Sequence, residues 1–171
     1  MKKIFRPPKG FTGSRRSSKI RVEICNLESS LKVSDRRIKD LLKNVLHETG
    51  FRSRAPIEIS VAFVNDVSMR RVNRRFHGAD RATDVLAFPM ADKKKDSHDR
   101  LLGEIIVSID RARVQAKRFG NTLDKEVALY LVHGLLHLLG YRDHRPKDFD
   151  RMSALQDFIM ENYFRGILHD F

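Results

Sequence analysis

Three things are scarce in this chain, and each scarcity excludes something. Among 171 residues there is one cysteine, Cys25, so no internal disulfide can form, and the composition suits a reducing compartment. No apolar run approaches the roughly 18 residues that a membrane-spanning helix needs, so the expectation is a cytoplasmic protein with no membrane partner. Acid is missing from the start. The first 22 residues, "MKKIFRPPKGFTGSRRSSKIRV", hold eight lysines and arginines, no aspartate or glutamate, and no apolar stretch of signal-peptide length. The helix breakers in "RPPKGFTG" also spoil the amphipathic helix of an organelle transit peptide. Residues 1–18 therefore read as a flexible basic arm, serving either as an added RNA contact or as a solvated tail.

What is present is charge and a core. A formal net charge of +12 and a pI near 10.2 favour an anionic partner, nucleic acid first, and 41% hydrophobic residues suffice for one globular domain over residues 19–171. Alternation of Ile20, Val22 and Ile24 predicts a strand over Lys19–Cys25. Ile38, Leu41, Leu42, Val45 and Leu46 repeat at helical spacing between a candidate N-cap, Ser34, and a stop at Gly50. Ile57–Val64 reads as a second strand, Val67–Phe76 as a short basic helix, and Asp84–Pro89 as a strand closed by proline. Asp92–Arg100 reads as a loop, Leu101–Ile109 as another strand, and Asp110 begins a helix stopped at Gly120. Thr122 caps the next helix, and a last one runs from about Asp148 to Phe164. The sum is an α+β domain, a small mixed sheet packed with helices.

The helix after Thr122, "DKEVALYLVHGLLHLLG", is apolar nearly all round and should be central and buried, where an imidazole without a partner is unfavourable. Yet residues 133–144, "HGLLHLLGYRDH", carry three histidines. His133 and His137 stand at i and i+4, on one face and about a turn apart, as two ligands of one metal ion require. Gly140 ends the helix and lets the chain double back, so His144 is the expected third ligand. Core histidines bonded to backbone carbonyls are the plainer reading of an isolated pair; the helix-ending glycine and the third histidine favour the metal. Three protein ligands leave a position for water, the pattern of a catalytic site, and one zinc ion per chain leads, although imidazoles also accept nickel, copper or iron. In His-Glu-x-x-His proteases a glutamate follows the first histidine; here Gly134 does. Peptide hydrolysis by that route is disfavoured, whereas metal-assisted attack on a phosphodiester needs no carboxylate there.

"HGLLHLLGYRDH", with "FHGADRATDVLAFP" and "LLGEIIVS" upstream, resembles the YbeY family of metal-dependent endoribonucleases over roughly residues 20 to 165. The resemblance implies a three-histidine zinc site, cleavage of single-stranded RNA, maturation of the 3′ end of small-subunit ribosomal RNA, and the ribosome or its precursor as partner. His133 and His137 carry over directly. The family usually reads Gly-Tyr-Asp-His, and here Arg142 stands before Asp143. His144 is expected to keep the metal, with Arg142 absorbed as a bulge and Asp143 hydrogen-bonded behind a ligand imidazole. Upstream, Phe76, Gly78, Asp80, Thr83, Asp84, Phe88 and Pro89 match, but His77 occupies the position of an arginine thought to hold the RNA backbone. Arg75 or Arg81 is the expected replacement for that cation; with His77 alone, activity would be weaker or more pH-dependent. Arg70, Arg71 and Arg74 are expected on the RNA, or else form a solvated basic face; Asp80 and Asp84 serve the site or merely the turn. Two other functions fit the same residues: a non-catalytic RNA- or ribosome-binding factor with a structural metal, and a hydrolase of another substrate.

Overall fold

A computed structural model describes residues 19–27, 34–53, 55–90 and 100–168. The basic arm over residues 1–18 and nearly all of the loop expected over residues 92–100 lie outside them. Four strands and five helices follow in the order β1 (Ile20–Asn26), α1 (Asp35–Glu48), β2 (Ile57–Val64), α2 (Asp66–His77), β3 (Val85–Pro89), β4 (Arg100–Ser108), α3 (Ile109–Phe119), α4 (Leu123–Leu138) and α5 (Pro146–Leu168). The sheet is mixed, as expected. Its order is β1-β2-β4-β3, with β1, β2 and β4 parallel and β3 an antiparallel edge strand.

Local chemistry explains most boundaries. Ser34 takes the N-cap backbone position of α1, although its hydroxyl makes no capping bond, and Ile38, Leu41, Leu42, Val45 and Leu46 are the residues α1 buries. The strand expected to run through Ile109 stops one residue earlier. Ser108 accepts the Arg111 N–H as cap of α3 and donates its own hydroxyl to Asp66 Oδ1 at 2.7 Å, joining two helix starts at the carboxyl end of the parallel strands. Asn65 caps α2 by accepting from the Ser68 N–H, which moves that helix's start to Asp66. The last helix begins at Pro146, where a missing N–H is harmless, and is longer than its apolar pattern indicates.

Side chains alternate across the sheet. Ile57, Ile59, Val61 and Phe63 of β2 join the main core, which α1, α4 and α5 close on one face. On the other face Val64, Met69, Leu86 and Ile106 form a smaller cluster under α2. β3 serves both, since Val85 and Ala87 pack on the main core while Leu86 and Phe88 pack on the α2 side.

Helix α4 lies unusually close to the strands. A Cβ added to Gly134 would stand 2.7 Å from Ile105 Cγ2, shorter than packed carbon atoms tolerate, and 3.3 Å from Val85 Cγ2, tighter than most packed contacts. From the sheet side, a Cβ on Gly103 would meet the Phe88 carbonyl oxygen at 2.5 Å and Leu138 Cδ2 at 2.7 Å. An extra residue in β4, Leu102, stands opposite the step from Glu58 to Ile59 of β2 and shifts the register so that Gly103 faces Ile59. Two glycines thus let the helix and sheet touch. The glutamate of the protease motif is sterically excluded at position 134, whatever its chemistry.

Gly134→Ala is therefore expected to destabilise the protein by up to about 2 kcal/mol, because overpacking of about 1–3 kcal/mol outweighs the roughly 1 kcal/mol by which alanine favours a helix. Denaturant unfolding checks it; a stability equal to or above the parent would show that the contact relaxes freely.

Candidate metal centre

The α4 histidines emerge at the rim of this contact. His133 and His137, one turn apart, present Nε2 atoms 3.0 Å from each other. The outer nitrogens are anchored: His133 Nδ1 lies 3.1 Å from Gln156 Oε1 on α5, and His137 Nδ1 lies 3.1 Å from the Tyr141 carbonyl. Both partners are acceptors, so each Nδ1 carries the hydrogen and each Nε2 is left with a lone pair. Two lone pairs 3.0 Å apart repel unless a cation stands beside them.

Asp143 supplies the third donor. Its Oδ2 lies 3.6 Å from His137 Nε2 and 3.9 Å from His133 Nε2, and the three groups are close enough to hold one metal ion. Tetrahedral bonds of about 2.1 Å put neighbouring ligand atoms about 3.4 Å apart, within the range of these three edges. The side chains are 33%, 28% and 29% exposed, so one side of the cluster is open to solvent. Burial, reinforced by the neighbouring His137, holds the His133 imidazole below the ordinary histidine range, in its neutral, ligating form, although Gln156, Asp143 and Asp84 oppose the shift.

This geometry corrects one expectation. His144 is not in the cluster: its side chain is 89% exposed, with Nδ1 3.7 Å from Asp143 Oδ1. The reason is how α4 ends. The Gly140 N–H donates to the His137 carbonyl and the Tyr141 N–H to the Leu136 carbonyl, both at 3.0 Å, with Gly140 at φ 89°. These paired bonds form a Schellman cap, which fixes the path through Tyr141. The tenth residue after His133 then faces the imidazoles, and that residue is Asp143. Arg142 does not bulge out to bring His144 inward.

Two of the arginines expected on the RNA share one carboxylate. Arg70 is clamped by Asp80 through two hydrogen bonds of 2.8 and 2.6 Å, and Arg74 reaches the same carboxylate at 3.8 Å. Asp80 is thus a partner of the basic helix. Among the described residues Arg71, Arg75 and Arg81 make no ion pair, and none of Arg75, His77 and Arg81 is hydrogen-bonded or paired to His133, His137 or Asp143. His77 stacks instead on Phe88, ring centroids 5.8 Å apart. Closer to the histidines stands Asp84, whose carboxyl is pushed upward by burial against the opposing field of Arg111. Gln156 had no signature in the sequence, being one amide in an amphipathic helix.

The sequence matches the family described as Endoribonuclease YbeY over residues 23–164. Curated relatives carry the same name. The Persephonella marina protein is 34% identical over 76% of this chain and 84% of its own length, and that of Sulfurihydrogenibium is 36% identical over 85% and 94%. The Myxococcus xanthus protein is 45% identical over 67% of this chain but only 38% of its own length. In structure, a Thermotoga maritima protein solved in solution superposes with a TM-score of 0.60 at 27% identity, covering 87% of this chain and 93% of that one.

Two outcomes follow from the cluster. His137→Ala and Asp143→Asn should each lower affinity for a divalent metal by more than the roughly 10- to 100-fold that an outer hydrogen-bonding partner is worth, whereas His144→Ala should bind nearly as the parent does; titration with zinc decides, and loss confined to His144→Ala would reverse the assignment. Because folding disfavours protonation of His133, the unfolded chain binds more protons below the ordinary histidine pKa of 6.5. The metal-free protein should therefore lose stability as pH falls through that region, and His133→Gln should flatten the dependence.

Proposed function

The chain belongs to the YbeY family of endoribonucleases, and from that membership we propose that it is an enzyme that cleaves single-stranded RNA with one zinc ion held by His133, His137 and Asp143. One observation carries the reading: within the segment matching the family, two imidazoles and a carboxylate converge on one point that is open to solvent. Two histidines with a carboxylate are a donor set for zinc, with a fourth position left to water or substrate. When bound, such an ion polarises a phosphoryl oxygen and lowers the pKa of water, so that hydrolysis proceeds near neutral pH.

The chain's own groups do the positioning. Gln156 and the Tyr141 carbonyl hold the two rings in the tautomer that directs Nε2 at the substrate side, and Gly134 leaves no room for a glutamate base. A net charge of +12 draws a polyanion to the surface, and Arg71, Arg75 and Arg81, without ion pairs among the described residues, are the cations we assign to its phosphates. We place the reaction in the cytoplasm, in maturation of the 3′ end of small-subunit ribosomal RNA, with the ribosome precursor as partner and residues 1–18 adding non-specific affinity.

Metal analysis coupled to cleavage of a defined single-stranded RNA tests this. Chelation should abolish cleavage and zinc should restore it, with RNA binding and fold retained; failure to take up metal, or cleavage indifferent to chelation, would overturn the reading, and unfolding on chelation would mark the ion as structural. Deleting residues 1–18 should weaken binding and lower its salt slope by about 0.7 for each phosphate that the arm had neutralised. An unchanged slope would leave the arm without a role.

A further inference from the structure

Phe76 is out of place for an apolar residue. It lies in the last turn of a helix whose buried side chains are Met69 and Asn73, belongs to neither core cluster, and is 60% exposed. Its ring nonetheless has partners. The Phe88 ring centroid is 5.1 Å away at a tilt of 58°, and the Arg75 guanidinium carbon stands 5.5 Å from the Phe76 centroid. His77, also exposed, stacks on the same Phe88 at an interplanar angle of 26°. Phe88 is the anchor of the group, because it packs against the cluster of Val64, Met69, Leu86 and Ile106 beneath α2.

We propose that Phe76 and His77, seated on Phe88, form a stacking platform for an unpaired base of single-stranded RNA, with Arg75 at its edge for the adjoining phosphate. The occupant follows from the chemistry. A purely apolar patch would suit a protein partner, but here two exposed rings are joined to a guanidinium on a strongly basic chain, the combination that takes up a base through its π-face and its backbone through charge. Bases inside a duplex already stack on each other and cannot use it. The place also fits. β3 is an edge strand of the sheet; its Val85 and Ala87 pack towards α4, whose His133 and His137 belong to the candidate metal cluster, while its Phe88 packs towards α2. Leu138, the residue after His137, and the Phe88 carbonyl oxygen crowd the same point at Gly103, so a strand crossing the β3 edge would pass from platform to cluster. This inference rests on the ribonuclease reading and adds to it a base-binding subsite, which ties the preference for unpaired RNA to a stacking surface.

The test compares full-length, zinc-loaded protein with the variants Phe76→Leu, His77→Ala and Phe76→Tyr. The probes are a single-stranded oligoadenylate and an abasic oligonucleotide of equal length and charge. Phe76→Leu and His77→Ala should each weaken oligoadenylate binding about tenfold, raising KM without lowering kcat, and should leave abasic binding and the salt slope unchanged. Phe76→Tyr, which keeps a ring, should bind as the parent does. An equal loss on both probes, or no loss on either, overturns the platform while parental cleavage leaves the ribonuclease reading intact. A parent protein that binds neither probe overturns both.

Discussion

Everything at the candidate centre depends on how closely one helix approaches the sheet. Gly134 on α4 and Gly103 on β4 remove the side chains that would otherwise hold the two layers apart, and Ile105, Val85 and Leu138 fill the space up to the backbone. Interiors packed to this density transmit position faithfully, so the contact sets the height and rotation of α4. His133 and His137 are then presented at the β3 edge, half-exposed, while the helix's remaining apolar surface is buried. The residue that permits the approach is the neighbour of the first histidine. One glycine therefore makes the site accessible to substrate geometry and denies it a glutamate base.

Around that contact, polar groups are arranged so that the imidazoles are correctly oriented. Burial disfavours the charged form of His133, and acceptors behind both rings leave the Nε2 lone pair of each facing the cluster. Asp143 then brings a negative charge to the point where the lone pairs converge. The basic surface plays a different part. Arg70 is committed to Asp80 in an exposed pair that adds little to stability but holds the loop after α2, while the unpaired guanidiniums nearby stay available to a polyanion.

The sequence showed the fold clearly wherever one period dominated. The five buried apolar residues of α1 are those at helical spacing, β2 keeps its expected bounds, and the nearly all-apolar pattern of α4 marked a central helix. Boundaries shifted where a side chain chose between two elements, as Ser108 does in closing β4 and capping α3. His77 shows a deeper limit. As one letter in a basic segment it stood for a missing cation, whereas in the structure it is a ring stacked on Phe88, a relation between residues that pattern alone does not contain.

The sequence by itself determined the class of fold, the helix bearing His133 and His137, and the convergence of two imidazoles, because spacing of i and i+4 on a continuous helix is a local property set by 3.6 residues per turn. It also placed Asp143 and His144 side by side just beyond that helix, and read His144 as the third ligand. Which of them lies beside the two imidazoles was decided by tertiary structure alone. The cap at Gly140 and Tyr141, the carbonyl that Tyr141 turns back to His137, and α5 beginning at Pro146 fix the direction of the returning chain to within one residue, and a single residue's rotation turns one side chain inward and the next out to solvent.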